Sequence, residues 1–233
     1  MNQIQNFEDF VQSLLEAGFS MGGGNDEGIF ALIPWGWNQP APYPTPVHWH
    51  TGDAATDPWE WRMRVLDERD DIAYGKFFFK KSGFIASEYI PYFLACRQEG
   101  NTLEEAYENG TVSHMAKQVY ECVAKNEPMP MHAIKSQLGI KKEDASRFDR
   151  ALVELQTKLY LTMCGRQQKI SQKGEAFGWS STVFCLTTTL WGDKPFQKAA
   201  TLTKQDAFDA IRQQILKLSP DAQEKKIKRF IEG

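Results

Sequence analysis

Residues 141–186 read KKEDASRFDRALVELQTKLYLTMCGRQQKISQKGEAFGWSSTVFCL. Phe148, Ala151, Leu152 and Leu155 recur at helical spacing, which predicts an amphipathic helix across the first part of this stretch. Leu159–Cys164 predicts a strand, Gly165–Gly178 a polar hairpin and Trp179–Leu186 its return strand. Immediately upstream, Val112, Met115, Val119, Cys122 and Val123 share one helical face, and Pro128 and Pro130 end that helix. Residues 131–140, MHAIKSQLGI, predict a two-turn helix closed by Gly139. Three helices followed by a two-stranded hairpin is the order of a winged helix. Glycine suits the sharp reversal between its second and third helices. The second helix of a helix-turn-helix is the one that enters the DNA major groove.

The polar side of this unit is cationic. Lys141, Lys142, Arg147 and Arg150 fall at the start of the longer helix, and Arg166, Gln167, Gln168, Lys169 and Lys173 fall on the hairpin. Lys and Arg neutralise phosphates, and Arg or Gln can read base edges, so these nine residues form a candidate nucleic-acid face. Glu143, Asp144, Asp149 and Glu154 lie on the same helix and dilute its field. A winged helix that docks a protein partner therefore stays open beside the DNA reading.

Charge is divided along the chain. Residues 1–110 carry 7 Lys+Arg against 17 Asp+Glu, whereas residues 111–186 carry 11 against 7. Such a split fits either a basic face for a polyanion or two parts that dock by opposite charge. The boundaries expected are an acidic, aromatic-rich unit over 1–110, a winged-helix-like unit over 111–190 and a helical tail over 191–233. The fold class is α+β.

The N-terminal part predicts a helix from Phe7, a short buried strand over Ile29–Ile33, a helix capped by Thr56 or Asp57, a strand at AYGKFFF, and a strand then a helix capped by Ser87. Its densest feature is Trp35–Trp61, WGWNQPAPYPTPVHWHTGDAATDPWEW, which holds five of the seven tryptophans. Two readings compete. Indoles stack on bases and imidazoles move protons, so Trp35, Trp37, His48, Trp49, His50, Asp53 and Trp59 could line a ligand pocket. Clustered aromatics also seal a small core, with prolines stiffening the connection. Trp59 and Trp61 would point about 200° apart on a helix, so they cannot share a pocket. His48, His50 and Asp53 fall short of a stable ligand set, and no metal or other cofactor is expected.

The four cysteines are widely spaced and form no CxxC pair. The N-terminus is acidic and does not read as a secretory signal, and no apolar run approaches the roughly eighteen residues of a membrane span. The expectation is a cytoplasmic protein with no membrane partner. Composition leaves its oligomeric state open.

Two blocks, DPWEWRMRVLDERDDIAYGKFFFKKSGFIASEYIPYF and ALVELQTKLYLTMCGRQQKISQKGEAFGWSSTVF, resemble a bacterial group described as AlkZ-related, after the winged-helix AlkZ alkylpurine DNA glycosylases. The resemblance implies winged-helix architecture, duplex DNA contact with a hairpin near the lesion, and a DNA-repair setting. Glycosylases of that name use a glutamine–apolar–glutamine or –aspartate triplet after an initial winged-helix unit. The one such triplet here, Gln3-Ile4-Gln5, stands at the start of the sequence with no unit before it. Whether the protein is an enzyme is left open. The resemblance and the residues together favour a nucleic-acid-binding protein that recognises altered DNA. The alternatives are a glycosylase-like hydrolase using the Trp/His segment and a non-catalytic interaction module.

Overall fold

In a computed structural model of the chain, which describes residues 3–24, 26–170 and 175–233, the first element is the helix the apolar spacing demands. Helix α1, Phe7–Ala17, is capped by the Asn6 side chain and closed by Gly18 in the left-handed region. It buries Phe7, Phe10 and Leu14. The chain then turns directly into strand β1, Phe19–Met21. Residues 26–33 are not a strand. Ile29, Ala31, Leu32 and Ile33 are buried, as an apolar run requires, but their backbone is irregular. The Ser20 hydroxyl accepts the Leu32 N–H, and the Phe30 carbonyl accepts the Met21 N–H, so the polar groups are satisfied without a ladder.

Helix α2, Pro58–Glu68, starts on an Asp57 cap with Pro58 in its first turn. Strands β2, Ile72–Phe78, and β3, Lys81–Ala86, form a hairpin. Its two turn residues, Phe79 and Lys80, both have positive φ (50° and 63°), as a primed two-residue turn requires. Neither is the glycine or asparagine such a turn favours. The turn is held from outside: Phe79 packs on Phe230, beneath the cations of Lys226 and Arg229. Helix α3, Ile90–Arg97, follows, with Tyr89 rather than Ser87 at its cap position. The six-residue helix α4, Leu103–Glu108, has a complete Thr102–Glu105 capping box.

The next elements are α5, His114–Asn126, the two-residue strand β4, Met129–Pro130, and α6, Met131–Gln137. A single 3-10 turn, Lys142–Asp144, leads into α7, Ala145–Thr157. Strands β5, Leu161–Ile170, and β6, Ala176–Leu186, then form the hairpin, longer at its tip than the residue pattern indicates. Four helices close the described chain: α8, Thr187–Trp191; α9, Lys194–Ala200; α10, Lys204–Leu218; and α11, Glu224–Glu232.

The architecture is α+β, with eleven α-helices and two antiparallel three-stranded sheets among the described residues. The first sheet runs β1-β3-β2 and the second β4-β6-β5. Two apolar clusters fill the interior, and both cross the segment boundaries expected from composition. One joins Phe7, Phe10 and Trp61 to Val119, Phe148 and Phe184. The other joins Phe19, Phe78 and Phe93 to Leu159, Ile211 and Phe230.

Buried Arg97 links the segments. Its guanidinium donates to the carbonyls of Phe77 on β2, Thr157 at the end of α7, and Phe230 and Ile231 near the end of α11, at 2.7–3.0 Å. Burial pulls its pKa down to about 9. The negative ends of two helices and four carbonyl oxygens keep it charged at neutral pH. Neighbouring Gln98 donates to the carbonyls of Lys158 and Leu159.

Candidate nucleic-acid interface

Gly139, at φ 60°, turns the chain between α6 and α7. The turn leaves Lys141 and Lys142 exposed, and the first two turns of α7 expose Ser146, Arg147, Asp149 and Arg150. Phe148 faces inward and is fully buried. Among the described residues Lys141, Lys142 and Arg150 make no ion pair, while Arg147 lies 3.5 Å from Asp144. Asp149 is drawn towards Lys135 at 3.3 Å. Glu154 is committed to structure: it accepts the Ser113 N–H at 2.8 Å and the Ser113 hydroxyl at 2.7 Å, tying α7 to the start of α5. The acids that dilute the face in sequence are thus partly spent on neighbouring cations and a helix start.

The other end of α7 is covered. The buried Gln156 side chain accepts the Lys76 N–H of β2 at 3.0 Å and donates to the Leu152 carbonyl at 2.8 Å. Thr157 donates to the Lys76 carbonyl. Strand β2 therefore sits against the C-terminal half of α7, and only the N-terminal half is free.

On the hairpin, Arg166, Gln167 and Gln168 are exposed. The β5–β6 register shifts between Met163 and Gly165 and again between Gln167 and Lys169, which bends the strand on either side of these residues. Arg166 lies 3.8 Å from Glu60 of α2, and Gln168 donates to the Gly178 carbonyl at 2.8 Å. The Lys169 backbone pairs with Phe177. Lys173 lies outside the described residues.

The Glu60 contact leads to the tryptophan segment. Trp59 is 42% exposed and Trp37 74% exposed, and with Trp49 and His50 they line a cleft of about 240 Å³. Gly22–Gly24, Gly36, Lys81 and Ser82 complete it. Gly23 and Gly24 leave no room for a side chain. A Cβ on Gly24 would stand 2.4 Å from the Gly36 nitrogen, and one on Gly23 would stand 2.6 Å from the Trp49 ring. The Trp49 indole donates to the Trp35 carbonyl at 3.0 Å, which fixes its ring in the wall.

Asp57 shapes the cleft without entering it. Fully buried, its carboxylate accepts the N–H groups of His50 (3.0 Å), Gly52 (2.9 Å) and Trp59 (2.8 Å). Three N–H donors compensate the buried charge and hold His50 in the left-handed region, at φ 61°. The His50 ring then lies 4.8 Å from that of Trp59. Arg62 sits one turn after Trp59, with its guanidinium 3.2 Å from the indole centroid.

The pocket residues expected from the sequence thus divide. Trp37, Trp49, His50 and Trp59 meet in the cleft. Trp35 is buried against Tyr43. His48 is exposed and does not line the cleft. Asp53 is spent within its own turn, where the Thr56 hydroxyl and then the Ala55 N–H hold its carboxyl below the ordinary range. No group of three or more His, Cys, Asp or Glu side chains is placed to hold a metal ion among the described residues. Gln3-Ile4-Gln5 has a packing role: Ile4 is buried, and its backbone bonds the Tyr43 and Thr45 hydroxyls. Residue pattern does not point to Arg62; the one usable signal is the three-residue spacing of Trp59 and Arg62 on a helix.

Among the described residues no helix is long and apolar enough to cross a membrane. A family model described as AlkZ related matches residues 4–232. No curated protein and no solved structure matches the chain.

Proposed function

The chain belongs to the AlkZ-related family, and from that premise we propose that it is a cytoplasmic, winged-helix-type protein that binds duplex DNA in a repair setting. The observation that supports this reading is the order α5, β4, α6, α7, β5, β6 with the second sheet ordered β4-β6-β5, the order a winged helix would have. Residues 111–190 are the DNA-facing part of the proposal, with 1–110 and 191–233 as its frame. The N-terminal turns of a recognition helix are the ones that meet base edges. In α7 those turns are the free ones, and Lys141, Lys142, Arg147 and Arg150 stand on them or just before them. Arg166, Gln167 and Gln168 would follow the neighbouring backbone. Four free thiols fit a reducing compartment.

Two other readings have less behind them. Docking of the cationic face onto the acidic N-terminal part would bury that face, yet the cations at the start of α7 are exposed. Base excision through a carboxylate would draw on Asp53 or Asp57, and both have their oxygens committed to the local turn.

Fluorescence anisotropy of a labelled duplex at several salt concentrations tests the proposal. Alanine at Lys141, Lys142, Arg147 and Arg150 together should weaken binding at least about tenfold. It should also flatten the slope of log K against log salt by roughly 0.9 for each phosphate that is no longer neutralised. Equal affinity of wild type and the quadruple variant at low salt would overturn it.

A further inference from the structure

We propose that the cleft walled by Trp37, Trp49, His50 and Trp59 receives a single unstacked nucleobase from a distorted or single-stranded nucleic acid. The inference rests on the duplex-binding reading for its orientation and names the ligand chemistry of a second site beside it.

The first argument is exposure. Trp37, Trp59 and Leu190 are the large apolar side chains left in water among the described residues, and the two tryptophans line the same cleft. An indole kept wet forgoes the burial that elsewhere drives this fold, and exposed indoles are the residues on which bases stack. Shape points the same way. The volume of about 240 Å³ is below the roughly 300–1,000 Å³ of pockets for extended ligands, so the cleft suits one flat ring system. Its glycine wall is close-packed, since a Cβ on Gly22, Gly23 or Gly24 would meet Ser82, Trp49 or Gly36.

Polarity then narrows the class. The His50 imidazole makes no hydrogen bond among the described residues, so it is available to the edge of a heterocycle. Trp59 already carries the Arg62 guanidinium at 3.2 Å, so a cationic guest would meet charge repulsion at that ring and a neutral aromatic would not. Lys81 at the rim is neutralised by Asp26 (3.1 Å) and Glu27 (3.0 Å). Arg62 donates its Nε to the Trp59 carbonyl at 2.6 Å, which leaves its terminal amino groups for the adjoining phosphate. The Arg166–Glu60 contact at 3.8 Å places β5 beside the residue that follows Trp59. Asp57 is fully engaged with backbone N–H groups, so it shapes the site and does not contact the base.

The test uses the full chain and 2-aminopurine, a neutral fluorescent adenine analogue, placed in a perfect duplex, in a one-nucleotide bulge and in a single strand. Wild type should prefer the bulged probe and quench its emission. The exposed pair Trp37→Ala/Trp59→Ala should weaken the bulged complex roughly tenfold to a hundredfold, leave the perfect-duplex complex unchanged, and abolish the quenching. Equal loss on both duplexes, or no loss on either, would overturn the base-receptor assignment while leaving duplex binding intact. Conversely, tryptophan-dependent quenching of the single strand with no duplex binding would sustain this site and overturn the duplex reading.

Discussion

Trp35 and Trp37 stand two residues apart, as do Trp59 and Trp61, and in each pair one indole is sealed while the other is wet. Trp35 is 4% exposed and Trp61 is 0% exposed, whereas Trp37 and Trp59 are open to solvent. Trp61 packs between Phe7 and Phe10, with ring centroids at 6.2 and 5.1 Å. On α2 the cause is helical geometry, since two residues turn a side chain by about 200°. In the proline-rich stretch it is a loop pinned by the Trp49–Trp35 bond. The core-seal reading therefore holds for one indole of each pair and not for the other. One member of each pair anchors the segment and the other is displayed by it.

The sharpest way to break this division is to truncate both members of one pair and compare stability. Trp61→Ala should cost about 3–5 kcal/mol in denaturant unfolding, as for other fully buried large aromatics, and Trp59→Ala should stay within about 1 kcal/mol. Comparable costs would mean that no division exists. A smaller effect is expected from Gly24→Ala. The added carbon would meet the Gly36 nitrogen at 2.4 Å and the Trp35 carbonyl carbon at 2.5 Å, both backbone atoms. About 1–3 kcal/mol should be lost, and Trp37, which follows Gly36, should change its acrylamide quenching while Trp61 does not. A melting curve and a quenching curve that match wild type would show that the wall is not close-packed.

The smallest effect concerns pH. Lys226 first, and Lys81 second, hold the Glu27 carboxyl below its ordinary value, clamping the loop beside the cleft to α11. A carboxylate with a lowered folded pKa contributes stability above its ordinary value of 4.5 and loses it as pH falls through the lower, folded value. Wild type should therefore exceed Glu27→Gln by under about 1 kcal/mol at neutral pH, and the gap should close below pH 4.5. A gap that is constant with pH would assign the difference to packing.

Legibility follows the range of the forces involved. From α5 to β6 the helices and the hairpin sit close to where local periodicity places them, β4 and the longer hairpin tip excepted, because each helix buries its own stripe against its sequence neighbours. The opposite outcomes of Trp59 and Trp61 are readable for the same reason, whereas those of Trp35 and Trp37 are not, since a Pro/Gly loop has no period. Residues 29–33 look like a strand because they are apolar, yet β1 takes the edge of β3 and leaves them without a ladder. The Phe79–Lys80 turn carries no turn chemistry and depends on Phe230, far along the chain. At the candidate interface the cations are legible as residues. That β2 covers half of α7 is not, because the Gln156–Lys76 bond spans 80 positions.

Arg97 gives the chain a mechanical property. Its cation is shared by a strand edge and the terminal turns of two helices that lie far apart in sequence, so none of the three can peel away without leaving a charge in a dry interior. Fraying of the last helix is therefore coupled to the seating of α7, and thermal melting should run as one transition with no step for the tail. A fragment spanning only the helices and hairpin would lack this keystone, and the cationic helix would lose the backing that sets its angle.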